Sequence, residues 1–386
     1  MSQFENCGCW CPFPFRARSQ LRYIGQMKFL LSATALFALS AIAPAQQPPS
    51  SDYKLALTEH QGQLQWHAKG FTIVQRSAKP GGREIGICGK DSTGRLGFLG
   101  FLFLAPEGAP QSSTKCRDQV LAYDKRNIPS LQILKTSELH PLSALPVALA
   151  TYTTKAKDGS TEYNARGFMA AGNICGDLEF YSSKPISDQD PDLTAIFATY
   201  RFDPSYDPKF ADVVLYGQVL YQNEMFKAAG PVFEKALTMI PADGAPFPSN
   251  KVATHVINDQ AGMAYGISGD IHKARTIFEV AIEKDPDHPL YYYNLACADA
   301  EEHNLPAARL HLQEAFARKA NGNSGEPMPD PTKDNSFTPY KSNKEFWAFL
   351  TQVQAGKYEA GCWDLNSCAA RSKHSATTQD HPPPHG

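Results

Sequence analysis

The segment GMAYGISGDIHKARTIFEVAIEKDP, residues 262–286, decides the fold of the C-terminal half. Small residues at Gly262, Ala274 and Ala281 let two helices approach closely, while large ones at three- and four-residue spacing fill the seam between them. Pro286 closes the unit. The pattern Ala274-x3-Phe278-x2-Ala281-x4-Pro286 recurs as Ala229-x3-Phe233-x2-Ala236-x4-Pro241 and as Ala308-x3-Leu312-x2-Ala315. The second and third copies lie 34 residues apart, from Ala274 to Ala308, and the first and second 45 apart. The excess is accounted for by ADGAPFPSNKV, a Pro-rich loop from Ala242 to Val252. Each copy has a matching first helix, with Tyr216-Gly217 then Leu220, Ala261-Gly262 then Tyr265, and Leu295-Ala296 then Asp299 in corresponding places.

These residues resemble the tetratricopeptide repeat (TPR) family over residues 209–319, with Asp299 standing where an aromatic is usual. The resemblance implies three helical hairpins whose first helices line a concave groove. Its groove positions fall on Gln218, Tyr221 and Gln222 in repeat one, on Asp259, Gln260 and Met263 in repeat two, and on Tyr293, Asn294, Cys297 and Glu301 in repeat three. The set lacks the Lys and Arg cluster that clamps a C-terminal carboxylate in some members. An extended peptide or the neighbouring domain is the occupant such a surface suits.

After Lys319, residues Asn321–Lys333 are rich in Gly and Pro and read as an extended crossing. NKEFWAFL, Asn343–Leu350, then places Phe346, Trp347 and Leu350 at helical spacing, within a capping segment over 334–352 that covers the apolar edge of the array. The polar, Pro-rich tail, 369–386, reads as disordered.

Upstream, residues 53–203 alternate in the manner of strands. Strands are expected at Gly70–Gln75, Glu84–Gly89, Leu96–Leu104, Leu131–Thr136, Val147–Thr154, Glu162–Ala171 and Ile174–Ser182. LGFLGFLFL, Leu96–Leu104, is apolar almost throughout and should be a central strand covered on both faces. A helix is expected over Ser112–Asn127 with Ser112 or Ser113 as its cap, and a second carries Leu193, Ile196 and Phe197. In element order, and in the phrase FATYRF at its close, this α+β domain resembles the small exported PsbP and DcrB-like domains. The fold class is therefore α+β, an antiparallel-sheet domain with helices followed by an all-α array of TPR-type hairpins.

Met27-Lys28 followed by FLLSATALFALSAIAPA reads as a signal peptide over 27–45, cleaved after Ala45, and no cysteine follows to carry a lipid. Its apolar run falls short of a membrane span. Residues 1–26 precede a natural start at Met27, and Cys7, Cys9 and Cys11 there are too closely spaced for a zinc knuckle. Removal of residues 1–45 leaves 33 basic against 38 acidic residues, a net charge of −5, with no basic footprint for nucleic acid. An oxidising compartment permits disulfides. Cys116, on the helix after the central strand, and Cys175, on the last strand, are the favoured pair. Cys362 and Cys368 could close a small loop, and Cys297 reads as a free core or groove residue.

Catalytic constellations are missing from the sequence: it contains no H-E-x-x-H, G-x-S-x-G or C-x-x-C. GICGKDS, Gly86–Ser92, reads as a turn, its glycines being too close for a phosphate loop. Asp177 and Glu179 share one strand face and read as a solvated pair. No cofactor or metal is expected, and the chain reads as a non-enzyme. The sequence thus favours an exported, periplasmic or secreted scaffold that recruits a protein or peptide and keeps no membrane anchor after cleavage. Two alternatives stand beside it: an enzyme or small-ligand α+β domain regulated by the repeats, and an array that docks on its own N-terminal domain.

Overall fold

A computed structural model of the chain describes residues 52–105, 112–140, 145–240 and 250–357. The upstream segment, the signal peptide, Cys362, Cys368 and the tail lie outside the described residues. The chain divides into two compact units at Asn250/Lys251, so the first helical hairpin belongs with the sheet and the other two form the second unit.

In the first unit a seven-stranded antiparallel sheet has the order β3-β4-β5-β9-β8-β7-β6. Its strands are β3 (Phe71–Lys79), β4 (Glu84–Asp91), β5 (Leu96–Leu104), β6 (Gln132–Leu139), β7 (Val147–Lys155), β8 (Thr161–Ala171) and β9 (Ile174–Ser182). The apolar run of β5 is interior, paired to β4 and β9 along its length. GICGKDS does not form a turn. Gly86 to Asp91 continue β4, because a side chain at Gly86 would strike Phe101 and one at Gly89 would strike Phe98. The expected strands are found, with ends shifted by up to four residues.

A second sheet of three short strands, β1 (Asp52–Ala56), β2 (Gln63–His67) and β10 (Arg201–Asp203), was not anticipated. It lays Trp66, Tyr53 and Leu64 on one face of the large sheet, where Gly100 and Gly176 leave room for Trp66 and Leu64. Helix α2 (Pro191–Thr199) adds Phe197, edge-on to Phe180 with ring centres 5.7 Å apart. Helix α1 (Ser113–Asn127), capped by Ser112, covers the opposite face, packing Leu121 into a cluster with Tyr152 and Phe168.

Cys116 on α1 and Cys175 on β9 are disulfide-bonded, with Cα atoms 6.0 Å apart. The bridge spans 59 residues, and closing such a loop stabilises a fold by about 2–4 kcal/mol. Reduction should lower the urea midpoint of the sheet unit accordingly, and an unchanged midpoint in reductant would contradict this.

Three antiparallel helix pairs follow: α3 (Phe210–Gln222) with α4 (Phe226–Thr238), α5 (Asn250–Ile267) with α6 (Ile271–Lys284), and α7 (Pro289–Glu301) with α8 (Leu305–Ala317). Each turn repeats one geometry. Glu224, Gly269 and His303 all take left-handed φ values, 60°, 93° and 61°. The amides just after them bond back five residues, Met225 to Leu220, Asp270 to Tyr265 and Asn304 to Asp299, at 2.8–2.9 Å. This is the Schellman closure of a helix. At the seam, Gly217 faces Phe233 and Gly262 faces Phe278 so closely that neither glycine has room for a side chain. Ala296 and Leu312 stand in the corresponding places of the third pair, both fully buried. Asp299 is also buried there, accepting from Arg275 on α6 at 2.7 Å and meeting His311 on α8 at 2.5 Å. The acid replaces an aromatic seam contact with a charged tie between hairpins.

The first pair is fastened to the sheet. Tyr216 donates to the carbonyls of Lys79 and Glu84, and Lys235 donates to the Thr58 carbonyl at 2.6 Å. Helix α3 thereby covers the outer strand β3.

Candidate functional site

In the second unit, residues 321–340 run the length of α7, not as the extended crossing expected over Asn321–Lys333 but as successive turns, with the amides of Glu326, Lys333, Phe337 and Tyr340 each bonding back three residues. At its start Asn323 meets His255 of α5, at its middle Asp334 meets Tyr293, and at its end Tyr340 bonds the Ala300 carbonyl. We call this segment the strap. It is anchored by Phe337, fully buried against Tyr293 and Phe346 with ring centres 6.1 and 6.2 Å away. Helix α9 (Lys344–Gln354), capped by Asn343, then packs Phe346, Phe349, Leu350 and Val353 into the same core, with Trp347 at its border. NKEFWAFL thus covers the last hairpin.

The expected groove residues divide between the two units. In the first, Gln222 is exposed and Gln218 partly buried, whereas Tyr221 packs edge-on to Phe226, 4.9 Å away, inside its own hairpin. In the second, Met263 packs into the seam cluster of Phe278, Tyr291 and Leu295. Gln260 is buried with neither amide atom hydrogen-bonded. Asp259 accepts from Asn294 at 3.1 Å, which links α5 to α7. Tyr293, Cys297 and Glu301 lie under the strap. Tyr293 donates to Asp334 Oδ2 at 3.1 Å, and the Cys297 sulfur is 4.0 Å from the same oxygen. Neither Tyr221 nor Tyr293 presents a free ring, because each is consumed by local packing.

Electrostatics under the strap follow from burial. Burial, and then the charge of Asp334, raise the Cys297 thiol well above its ordinary value, so it is a poor nucleophile. Burial likewise raises Asp334 and Glu301. Near the strap's start, burial and the neighbouring Asp259 charge raise Glu326. There His288 is wholly buried, stacked on His255 with ring centres 3.8 Å apart. The strap residues Asn323, Glu326, Asp334 and Phe337, and the histidine pair, were not among the sequence candidates.

The carboxylates of the sheet unit are no solvated pair. Asp177 and Glu179 lie in the core beneath α1. Arg166 Nη2 donates to Asp177 Oδ2 at 2.6 Å, and its Nη1 donates to Asp124 Oδ2 at 2.8 Å. Glu179 lies 3.6 Å from Nη1 and accepts from Tyr152. Burial pushes Asp177 up to about 6 despite Arg166. Three acids around one guanidinium, all nearly inaccessible, tie α1 to the sheet and offer no entry to a substrate. Among the described residues no group of three His, Cys, Asp or Glu side chains is placed to hold a metal ion. None of the described helices is long and apolar enough to cross a membrane.

The helix pairs share one turn, one seam and one register. Each is a helical hairpin of the kind the sequence repeats imply. No protein-family model and no curated protein matches the chain. Similar solved structures include the Sgt2 TPR domain from Aspergillus fumigatus, at 15% identity over 46% of this chain and 88% of that one, TM-score 0.26. PcrH from Pseudomonas aeruginosa aligns at 12% identity over 38% of this chain and 90% of its own, TM-score 0.26. The solution structure of cyanobacterial PsbP from Synechocystis sp. PCC 6803 aligns at 8% identity over 41% and 95%, TM-score 0.28. Superpositions this loose carry no functional argument.

Proposed function

We propose that the chain is an exported, non-catalytic scaffold that holds an extended segment of a protein partner along the inner faces of α5 and α7. One observation carries this reading: that face already receives a non-helical segment of chain, the strap, which crosses it through a succession of turns held by side-chain hydrogen bonds and a buried Phe. Polar, aromatic-anchored grooves of this kind bind peptides in extended form. The strap then competes with the partner for the site, and the apparent affinity falls in proportion to the open fraction. Export rests on the sequence of residues 27–45 alone.

Selection of extended peptides from a random display library against the mature chain tests the proposal. Peptides should be recovered by an Asn323→Ala/Phe337→Ala variant with a loosened strap, and should bind the unaltered chain about tenfold or more weakly. Failure of both proteins to retain any peptide would sink it. A purely structural role is the second reading, favoured by Tyr216 and Lys235, which fasten the first hairpin to the sheet. In that case the loosened variant gains no peptide binding over the unaltered chain.

A further inference from the structure

Asn323 stands at the head of the strap, and its amide is oriented by its neighbours. Its Nδ2 donates to Glu326 Oε2 at 2.9 Å, which leaves Oδ1 facing His255 Nδ1 at 2.9 Å. On the other side of the ring, His255 Nε2 meets Asp285 Oδ2 at 2.7 Å. Both ring nitrogens therefore face oxygen acceptors. A neutral imidazole has one N–H and one lone pair, and satisfies only one such partner; an imidazolium has two N–H groups and satisfies both. We infer that the head of the strap is a proton-operated latch: a proton on His255 tightens residues 321–340 over α5 and α7, and loss of that proton loosens them.

The surroundings favour this direction. Around the stacked rings are Lys251 from α5 and Asp285 from the link before α7, next to His255, Asp259 from α5 and Glu326 from the strap, next to His288, and Tyr291 of α7, edge-on to both. Three carboxylates against one lysine make the neighbourhood acidic, which suits a cation on the pair. Burial works to raise Asp285, but hydrogen bonds from His255 and Lys251 outweigh it and hold that carboxyl below its ordinary value. An ionised Asp285 is the partner that a protonated His255 requires. His288 stacks on His255, and its own Nε2 lies 3.5 Å from Asp259 Oδ2. When His255 becomes neutral, one nitrogen presents a lone pair to an oxygen, and the buried contact at the strap's head is lost. Histidine is the side chain whose ordinary range falls between about pH 5 and 8. The strap is accordingly held more firmly at the acid end of that window than at the alkaline end. As regulation of the groove this rests on the function proposed above; the strap's own response does not, and it is measured without any partner.

Cys297 lies beneath the strap and reports its opening. The full chain is treated with 4,4′-dithiodipyridine at about pH 5.5 and about pH 8. Modification of Cys297 is located by peptide mapping, and its rate is divided by that of a free cysteine peptide at the same pH. The normalised rate should be about tenfold higher at the alkaline pH. In Asn323→Ala, neutral His255 is satisfied by Asp285 alone, and the ratio should fall to near one. In Asp285→Asn, the amide can donate to neutral His255, and Cys297 should stay protected at both pH values. Equal normalised rates for the unaltered chain, or an undiminished ratio in both variants, would overturn the latch.

Discussion

Replacement of Arg166 by Met is expected to destabilise the sheet unit by about 3–5 kcal/mol at neutral pH, the cost of breaking a buried ion pair by removing one partner. Among the described residues the guanidinium is the only cation bonded to Asp124 and Asp177, and it lies beside Glu179. Without it three buried carboxyls must keep their protons or carry uncompensated charge. The loss should therefore shrink on acidification. Already in the unaltered chain Asp177 holds its proton up to about 6 against an ordinary 3.8. Folded protein thus binds more protons than unfolded across that interval, and this group's contribution declines as pH rises through it. Urea unfolding at several pH values checks both statements. A loss under about 1 kcal/mol at neutral pH, or one that grows on acidification, would contradict the ionic account of this core.

Phe337→Ala carries the second large effect, about 3–5 kcal/mol on the hairpin unit. The ring is fully buried in a cluster with Tyr293, Phe346, Phe349 and Leu350, whereas Met328 and Tyr340, the strap's other apolar contacts with that core, are only partly buried. Its removal leaves a cavity and a strap held by those two side chains and its polar contacts. Cys297 should become more reactive in the same variant. Urea unfolding and thiol modification read the two consequences separately, and a stability change within about 0.5 kcal/mol would show that the ring is not packed as described.

The hairpins were legible because their seams demand a small residue against a large one, and that demand recurs at Gly217 and Phe233, Gly262 and Phe278, Ala296 and Leu312. Their turns were not legible. Glu224 and His303 occupy a left-handed position where only Gly269 has the residue type that announces it. The strands of the large sheet were found by alternation, but β1, β2 and β10 are five, five and three residues long and too short for that signal. Asp177 and Glu179 looked solvated because their partner, Arg166, is reached only through the pairing of β8 with β9. The strap was hidden for a similar reason. A Gly- and Pro-rich segment reads as a surface crossing, and nothing local reveals that Phe337 is buried or that Tyr293 is already taken.

Peptide protection of Cys297 tests most directly the claim that the inner face of α5 and α7 is a seat for an extended chain. In the Asn323→Ala/Phe337→Ala variant, the thiol should react faster than in the unaltered chain, and a selected peptide should slow it again as it takes the place of the strap. A peptide that binds the variant yet leaves Cys297 as reactive as before would show that the partner seat lies elsewhere, and would contradict the account.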